Sequence, residues 1–173
     1  MERPRPGGDA QGAATRRRLS PRRAAHPLWR FSLDVYARDG VEQACLGLQA
    51  ACGADVNLLL FCCWMGSRRR SLGKRFLRRA MAAVSRWQSE VVQPLRTARR
   101  ALKRDSVGGP SAWRAHLREN VATLELDAEY VEQLVLARLA AQASRPVRNA
   151  SAEKTIEVNL ERYLTLLGAR SGV

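Results

Sequence analysis

β-branched and aromatic residues are scarce in this sequence. It contains a single isoleucine, Ile156, and aromatic residues make up only 6% of its 173 residues. Because strands are built mainly from these residue types, their scarcity argues against a β-sheet protein. Alanine and leucine supply most of the 46% hydrophobic content, and both residues favour helices. We therefore expect a single all-α domain, which at this length can bury a substantial core.

Long apolar runs are also missing. The longest of them, Leu58 to Met65, is far shorter than the ~20 residues that a membrane-spanning helix needs. No apolar stretch of the kind found in secretory signal peptides follows the arginine cluster in the first 26 residues. We expect a cytoplasmic protein without a membrane partner.

Metal-binding and catalytic motifs are absent as well. The four cysteines, Cys45, Cys52, Cys62 and Cys63, show no Cys-x-x-Cys spacing, and only two histidines accompany them. A structural zinc site needs four such ligands at close spacing, so we expect no metal site and no cofactor. The chain has no phosphate-binding glycine loop, no HExxH and no GxSxG motif. A non-catalytic protein is therefore the prediction.

Positive charge is unevenly distributed along the chain. The net charge is +14, from 27 arginines and 3 lysines against 16 acidic residues. By segment, the charge is +5 for residues 1–27, −2 for 28–67, +12 for 68–104 and −1 for 105–173. Prolines and glycines in the first segment prevent a continuous helix, which predicts a disordered basic arm over residues 1–27. Within the remaining chain, the basic charge is concentrated in residues 68–104.

The spacing of apolar residues predicts six or so helices in one domain that spans residues 28–168, followed by a tail, 169–173. Residues 56–65 are apolar nearly all round, which is typical of a helix at the centre of a core. Asp55 immediately precedes them and is the expected N-cap. Ser151 is the expected N-cap of a last helix that Gly168 should end.

The middle of the chain predicts two long helices. Apolar residues at alternating spacings of three and four run from Leu77 to Leu102, and Pro94 should kink or split that helix. A second stripe of the same kind begins at Trp113, after a glycine-proline turn. Two long helices joined by a tight turn indicate an antiparallel hairpin. Trp87 and Trp113 lie within the two stripes, and we interpret both as core residues.

Two short stretches carry a distinctive pattern of aromatic, glycine and polar residues. The first is Trp29-Arg30-Phe31-Ser32-Leu33 with Tyr36; the second is Gly53-Ala54-Asp55-Val56-Asn57-Leu58-Leu59-Leu60-Phe61 with Trp64 and Gly66. Over about residues 28–168, the chain resembles a family of short bacterial proteins, mainly proteobacterial, that is defined as a domain of unknown function. The resemblance implies an all-α fold and brings no activity, cofactor or catalytic residue with it.

The strongest functional feature is the row of cations within residues 68–104, where Glu90 is the only acidic residue. At helical spacing, these cations lie opposite the apolar stripe from Leu77 to Leu102. The candidate anion-binding residues are Arg75, Arg78, Arg79, Arg86, Arg96, Arg99, Arg100 and Lys103. Such a row can neutralise several phosphates, so we predict a binding protein whose anionic partner is RNA or a ribonucleoprotein.

Two alternatives stay open for this basic segment. In the first, it is a solvated face, partly balanced if the hairpin brings Glu125, Glu129 and Glu132 near Arg75 to Arg86. In the second, the charge serves solubility only, and the protein is an adaptor that contacts a protein partner through exposed apolar helix surface. The oligomeric state is not predicted by either alternative.

Several polar residues flank the most apolar helices. They are Tyr36, Asp55, Asn57, Asn159 and Tyr163. We interpret them as structural: a helix cap, a first-turn amide and tyrosines whose hydroxyls lie at the edge of the core. If the last helix packs on the third, the alternative is that all five converge on a small ligand pocket.

Overall fold

The structure, a computed structural model, describes residues 26–104, 108–143, 146 and 150–171. These residues form a single all-α domain, as predicted. Its helices are α1 (Pro27–Tyr36), α2 (Val41–Cys52), α3 (Val56–Ser67), α4 (Lys74–Trp87), a π-helical turn (Gln88–Val92), α5 (Gln93–Ala101), α6 (Ser111–Ala140) and α7 (Ala152–Ser171). Residues 1–25 of the predicted arm lie outside the described residues. None of the helices in the described ranges has the length and apolarity that crossing a membrane requires.

Short polar residues and glycine set the helix boundaries. The backbone N–H of Asn57 donates to Asp55 Oδ1 at 2.9 Å, so Asp55 is the N-cap of α3, as expected. The N–H of Lys154 donates to Ser151 Oγ at 3.1 Å at the start of α7. Gly53 ends α2 with φ of 67°, in the left-handed region that favours glycine. Helix α7 continues to Ser171, past Gly168, where we expected it to end.

Helix α3 lies at the centre of the core. Its residues Phe61, Cys62 and Met65 are fully buried, and α3 packs against α1, α2, α6 and α7. Its closest approach is to α7, because Gly66 lies against Ile156: a Cβ atom at Gly66 would be 2.6 Å from Ile156 Cα. The apolar character of this segment all round the helix therefore reflects burial on every side.

Helices α4 and α5 form one rod that is interrupted by the π-helical turn Gln88–Val92. Pro94 follows this turn in the first turn of α5. Since proline has no N–H, an α-helix passing through Pro94 would leave the carbonyl of Glu90 without its usual donor. A π-helical turn shifts the pairing from the fourth to the fifth residue along the chain and so accommodates the missing donor. The interruption of the helix that we expected at Pro94 therefore lies one turn before the proline.

The buried face of α6 differs from the predicted one. The stripe that begins at Trp113 was expected to lie in the core, but Trp113 is 72% exposed, Leu117 50% and Leu124 54%. No residue from 111 to 124 is buried, and the buried residues of α6 are Glu125, Ala128, Glu132, Gln133, Leu136 and Ala140. Of the predicted stripe, Ala128 is buried and Val135 and Leu139 pack against the core. From residue 125 onward, α6 turns a partly polar face inward, where Glu125 and Glu129 pair with arginines of α5. Trp87 is partly buried, and its Nε1 donates to the carbonyl of Ala128 at 3.0 Å.

Candidate anion-binding surface and internal cavity

The outer face of α4 is a continuous basic surface, which we call the α4 basic face. Its residues are Lys74, Arg75, Arg78, Arg79 and Arg86, all exposed. At about 100° per residue they lie within an arc of roughly 140°. The opposite side of α4 is buried through Leu77, Ala80, Met81 and Val84. Burial of that side fixes the orientation of the helix, so the cations face solvent together.

Acidic residues of the protein neutralise little of the charge on the α4 basic face. Arg86 Nε pairs with Glu90 at 2.9 Å, and both side chains are well exposed. Arg79 Nη2 donates to Gln142 Oε1 at 2.8 Å, and its guanidinium lies 5.4 Å from the ring centre of Phe76. Within the described part of the chain, Arg75 and Arg78 make no ion pair. A bound anion would therefore meet cations that keep most of their charge.

Two of the eight candidate cations are used inside the protein. Arg96 is only 7% exposed, and its Nη2 donates to Glu129 at 2.6 Å while its Nε lies 3.4 Å from Glu125. Arg99 Nε also donates to Glu125. The expectation that Arg96 faces outward, opposite the apolar stripe, is wrong, because α5 turns this residue toward the carboxylates of α6. Arg100 is exposed beside them.

The acidic row of α6 also lies elsewhere than expected. We expected Glu125, Glu129 and Glu132 opposite Arg75 to Arg86, but the first two pair with Arg96 and Arg99. Glu132 lies deeper and is fully buried. Since these carboxylates pair with α5, they do not neutralise the α4 basic face. Lys103, just after α5, is exposed.

The five polar residues of the alternative pocket do not converge on one site. Tyr163 Oη accepts the backbone N–H of Asp55 at 2.9 Å, and burial raises the pKa of this phenol. Asn159 Oδ1 accepts the N–H of Leu72 at 2.7 Å, while its Nδ2 donates to carbonyls of α3 and of the loop after it. Tyr36 and Asn57 line a cavity whose lining does not include Asp55, Asn159 or Tyr163. Asp55, Asn159 and Tyr163 therefore have structural roles.

A chain of buried side-chain hydrogen bonds crosses from α1 to α3 through α6. Ser32 Oγ donates to Gln133 Oε1, Gln133 Nε2 donates to Asn57 Oδ1, and Asn57 Nδ2 donates to Glu132 Oε2 at 3.1 Å. Burial, and then the nearby carboxylate of Asp55, raise the pKa of Glu132 well above its ordinary value.

A cavity of about 510 Å³ lies beside this chain, between α1, α2, α3, α5 and α6. Its walls combine leucine side chains with Asn57, Gln133, Arg96 and Glu129. Burial raises the pKa of Glu129, although the hydrogen bond from Arg96 opposes the shift. A concave site of this size with a few buried polar groups is suited to a small molecule.

The four cysteines are free thiols inside or beside the core. Burial raises the pKa of Cys63 to about 11, and it raises the pKa of Cys62 further. Since the thiolate is the reactive form, both thiols are weak nucleophiles at neutral pH.

Sequence reasoning missed the cavity and its polar wall. Ser32 lies on α1, whereas Glu132 and Gln133 are neighbours on α6, and no short motif joins residues so far apart in the sequence. The available signal was the spacing of Glu125, Glu129 and Glu132, which places the three glutamates on one face of α6. This spacing alone does not show which arginines pair with the glutamates.

One family model matches the chain, over residues 27–136, and its description is "Protein of unknown function (DUF2390)". The matched segment includes α1 to α5 and most of α6. No curated protein and no solved structure matches the chain.

Proposed function

The chain belongs to the DUF2390 family of proteins of unknown function, and we propose that this member binds RNA or a ribonucleoprotein through the α4 basic face. The observation that carries this proposal is the exposure of Lys74, Arg75, Arg78, Arg79 and Arg86 on one side of a helix whose other side is buried. Five neighbouring cations held on a rigid element can neutralise several phosphates of one nucleic-acid strand.

The chemistry of the face favours phosphate over other anions. Arginine presents a planar fork of donors that matches a phosphate in a bidentate manner. The described residues of this face include no exposed aromatic ring on which a base would stack, since Phe76 is partly buried and stacks on Phe61 with ring centres 6.4 Å apart. We therefore propose contacts to the backbone of RNA without sequence preference.

Charge reversal tests this proposal. We expect Arg75→Glu, Arg78→Glu and Arg79→Glu together to weaken binding of a labelled uridine oligonucleotide by about 100-fold or more at low salt. The slope of log affinity against log salt should fall by about 2, since about 0.7 is lost per phosphate contact in a single strand. Fluorescence anisotropy at several salt concentrations measures both quantities, and circular dichroism should show unchanged helicity.

A matched control distinguishes the effect of where the charges lie from the effect of the total charge. Arg38, Arg118 and Arg138 are also exposed but lie on α6 and after α1. Their combined reversal to glutamate changes the net charge by the same amount and should reduce RNA affinity only slightly. Equal losses in the two variants would assign binding to net charge alone. Unchanged affinity in the α4 variant would remove the proposal.

A second candidate function, a protein-binding adaptor, is favoured by the exposed apolar residues of α6. These are Trp113, Leu117, Leu124 and Val131, at 72%, 50%, 54% and 38% exposure. At about 100° per residue they lie within roughly 40° of one another, so they form one stripe along the helix. Residues 117, 124 and 131 repeat every seven positions, which is the spacing of a helix that packs along another helix.

The adaptor function predicts a partner that survives removal of RNA. Affinity purification under nuclease treatment and high salt should retain that partner with the wild-type chain and with the α4 charge-reversal variant. The variant Trp113→Ser, Leu117→Ser and Leu124→Ser should lose it, because the exposed stripe is removed. If all captured proteins disappear with nuclease treatment, the adaptor candidate is excluded.

A further inference from the structure

The first half of α6 presents an apolar side that no described residue buries. None of the residues from 111 to 124 is buried, although Trp113, Leu117 and Leu124 lie on one side of the helix. Most of the stability of a helix in a protein comes from packing of its apolar face. This half of α6 therefore lacks its usual source of stability within the described part of the chain.

The other parts of the sequence contain few apolar residues that could cover this side. Residues 1–25 include two large apolar residues, Met1 and Leu19, among many arginines, prolines and glycines. The remaining residues outside the described ranges add only three valines. Segments of this composition cannot bury a tryptophan and two leucines. The cover for this side of α6 therefore comes from a second polypeptide.

The exposed stripe is symmetric about Leu124. Leu117 precedes Leu124 by seven residues, and Val131 follows it by seven. If a second copy of α6 runs antiparallel with the two Leu124 side chains adjacent, Leu117 of each copy lies beside Val131 of the other. The spacing of seven keeps these contacts on one side of both helices. The stripe is thus complementary to itself, as the interface of a closed two-fold dimer must be.

The charge along α6 favours the antiparallel direction. Residues 111–123 carry two arginines and one glutamate, a net charge of +1, whereas residues 125–135 carry four acidic residues and no basic one, a net charge of −4. Ion pairs with Arg96 and Arg99 neutralise two of those four, which leaves the second half acidic. In an antiparallel pair, the basic half of each helix lies beside the acidic half of the other, and the helix dipoles attract. A parallel pair would place like charges together.

We propose that the exposed stripe of α6 binds a second copy of this chain, in an antiparallel two-fold pair centred on Leu124. This inference rests on the second candidate function, in which the stripe is a protein-binding surface, and it names the partner. The contact extends over the helix from Trp113 to Val131, a length of roughly 28 Å. One helix from each copy makes a small interface, so the dissociation constant should be about 10 µM.

Sedimentation velocity of the full chain measures this association. Nuclease-treated protein at high salt should change from monomer to dimer between about 1 and 100 µM. Leu124→Arg places two like charges together at the two-fold axis and should weaken association about 100-fold or more. Leu46→Arg is the matched control, because it adds the same charge on α2 at a leucine of similar exposure, 45% against 54%. It should leave the dimer unchanged, and circular dichroism should show that both variants are folded.

Mixtures of charge variants test the pairing of residues. Leu124→Arg and Leu124→Glu should each be monomeric alone and should associate when mixed, because unlike charges then meet at the axis. Leu117→Lys should associate with Val131→Glu at least about tenfold more tightly than with Leu117→Glu. The opposite order of affinities would contradict the antiparallel arrangement, since residue 117 faces residue 117 in a parallel pair.

Self-association through the stripe is overturned if the chain stays monomeric over the whole concentration range. It is also overturned if Leu124→Arg dimerises as well as wild type, or if nuclease treatment alone dissociates the dimer, which would mean that RNA bridges the two copies. A monomeric chain that still retains a nuclease-resistant partner through the stripe would reject the second copy as the partner while supporting the adaptor function.

Discussion

Replacing Arg96 with alanine should lower the free energy of unfolding by about 3–5 kcal/mol. The guanidinium is 7% exposed and lies between Glu125 and Glu129. Without Arg96, Glu129 loses its hydrogen-bond donor in a position that excludes most water, and an unpaired buried charge is costly. Chemical denaturation followed by circular dichroism measures the loss.

The neighbouring residue Arg100 is the matched control. It is exposed one position after Arg99 in α5, and Arg100→Ala should change stability by less than about 0.5 kcal/mol. Adding Glu125→Gln and Glu129→Gln to Arg96→Ala should recover part of the lost stability, because fewer buried charges then lack a partner. A loss below about 1 kcal/mol for Arg96→Ala alone would mean that the pair is solvated and contributes like a surface ion pair.

Gly66→Ala should destabilise the protein by about 3 kcal/mol, near the upper end of the range for overpacked sites. The added Cβ would lie 2.6 Å from Cα, N and Cγ1 of Ile156 in α7. Two of these atoms belong to the backbone, so a side-chain rotation cannot relieve the overlap, and α3 and α7 must separate. Their interface is the most extensive helix pair of the fold. Thermal unfolding should show a clear fall in the melting temperature.

Gly47→Ala is the matched control for Gly66→Ala. Gly47 lies within α2, is exposed, and has no atom within 4 Å of an added Cβ. Because alanine has a higher helix propensity than glycine, this variant should be more stable than wild type by about 0.5–1 kcal/mol. Equal effects at the two glycines would contradict the close packing of α3 on α7.

The helices could be predicted from the sequence because their signals are local. The apolar character of residues 56–65 and the Asp55 cap each act within a few residues, and the structure has α3 where those signals predict it. The effect of Pro94 was also predictable as an interruption. Its form, a π-helical turn ahead of the proline, depends on how the rod packs against α6 and could not be predicted from spacing alone.

The choice of buried face on α6 could not be predicted in this way. The stripe that begins at Trp113 and the face that begins at Glu125 are both periodic, and hydrophobicity favours the first. From residue 125 onward, the structure turns the second face toward α5, where Glu125 and Glu129 meet Arg96 and Arg99, while Ala128, Val135 and Leu139 of the first stripe still pack on the core. Pairing between distant segments decides the rotation of the helix, and a single sequence does not contain that information. The same pairing removes Arg96 from the candidate surface.

The most direct test of RNA binding through the α4 basic face is to observe the arginine side chains while RNA is added. Nitrogen-15 correlation spectra of the Nε–Hε groups, recorded during titration with a uridine oligonucleotide, report each arginine separately. We predict that Arg75, Arg78 and Arg79 shift saturably and return toward their free positions as salt is raised, while the buried Arg96 does not shift. Shifts confined to residues outside α4, or none at all, would contradict the proposed RNA-binding face.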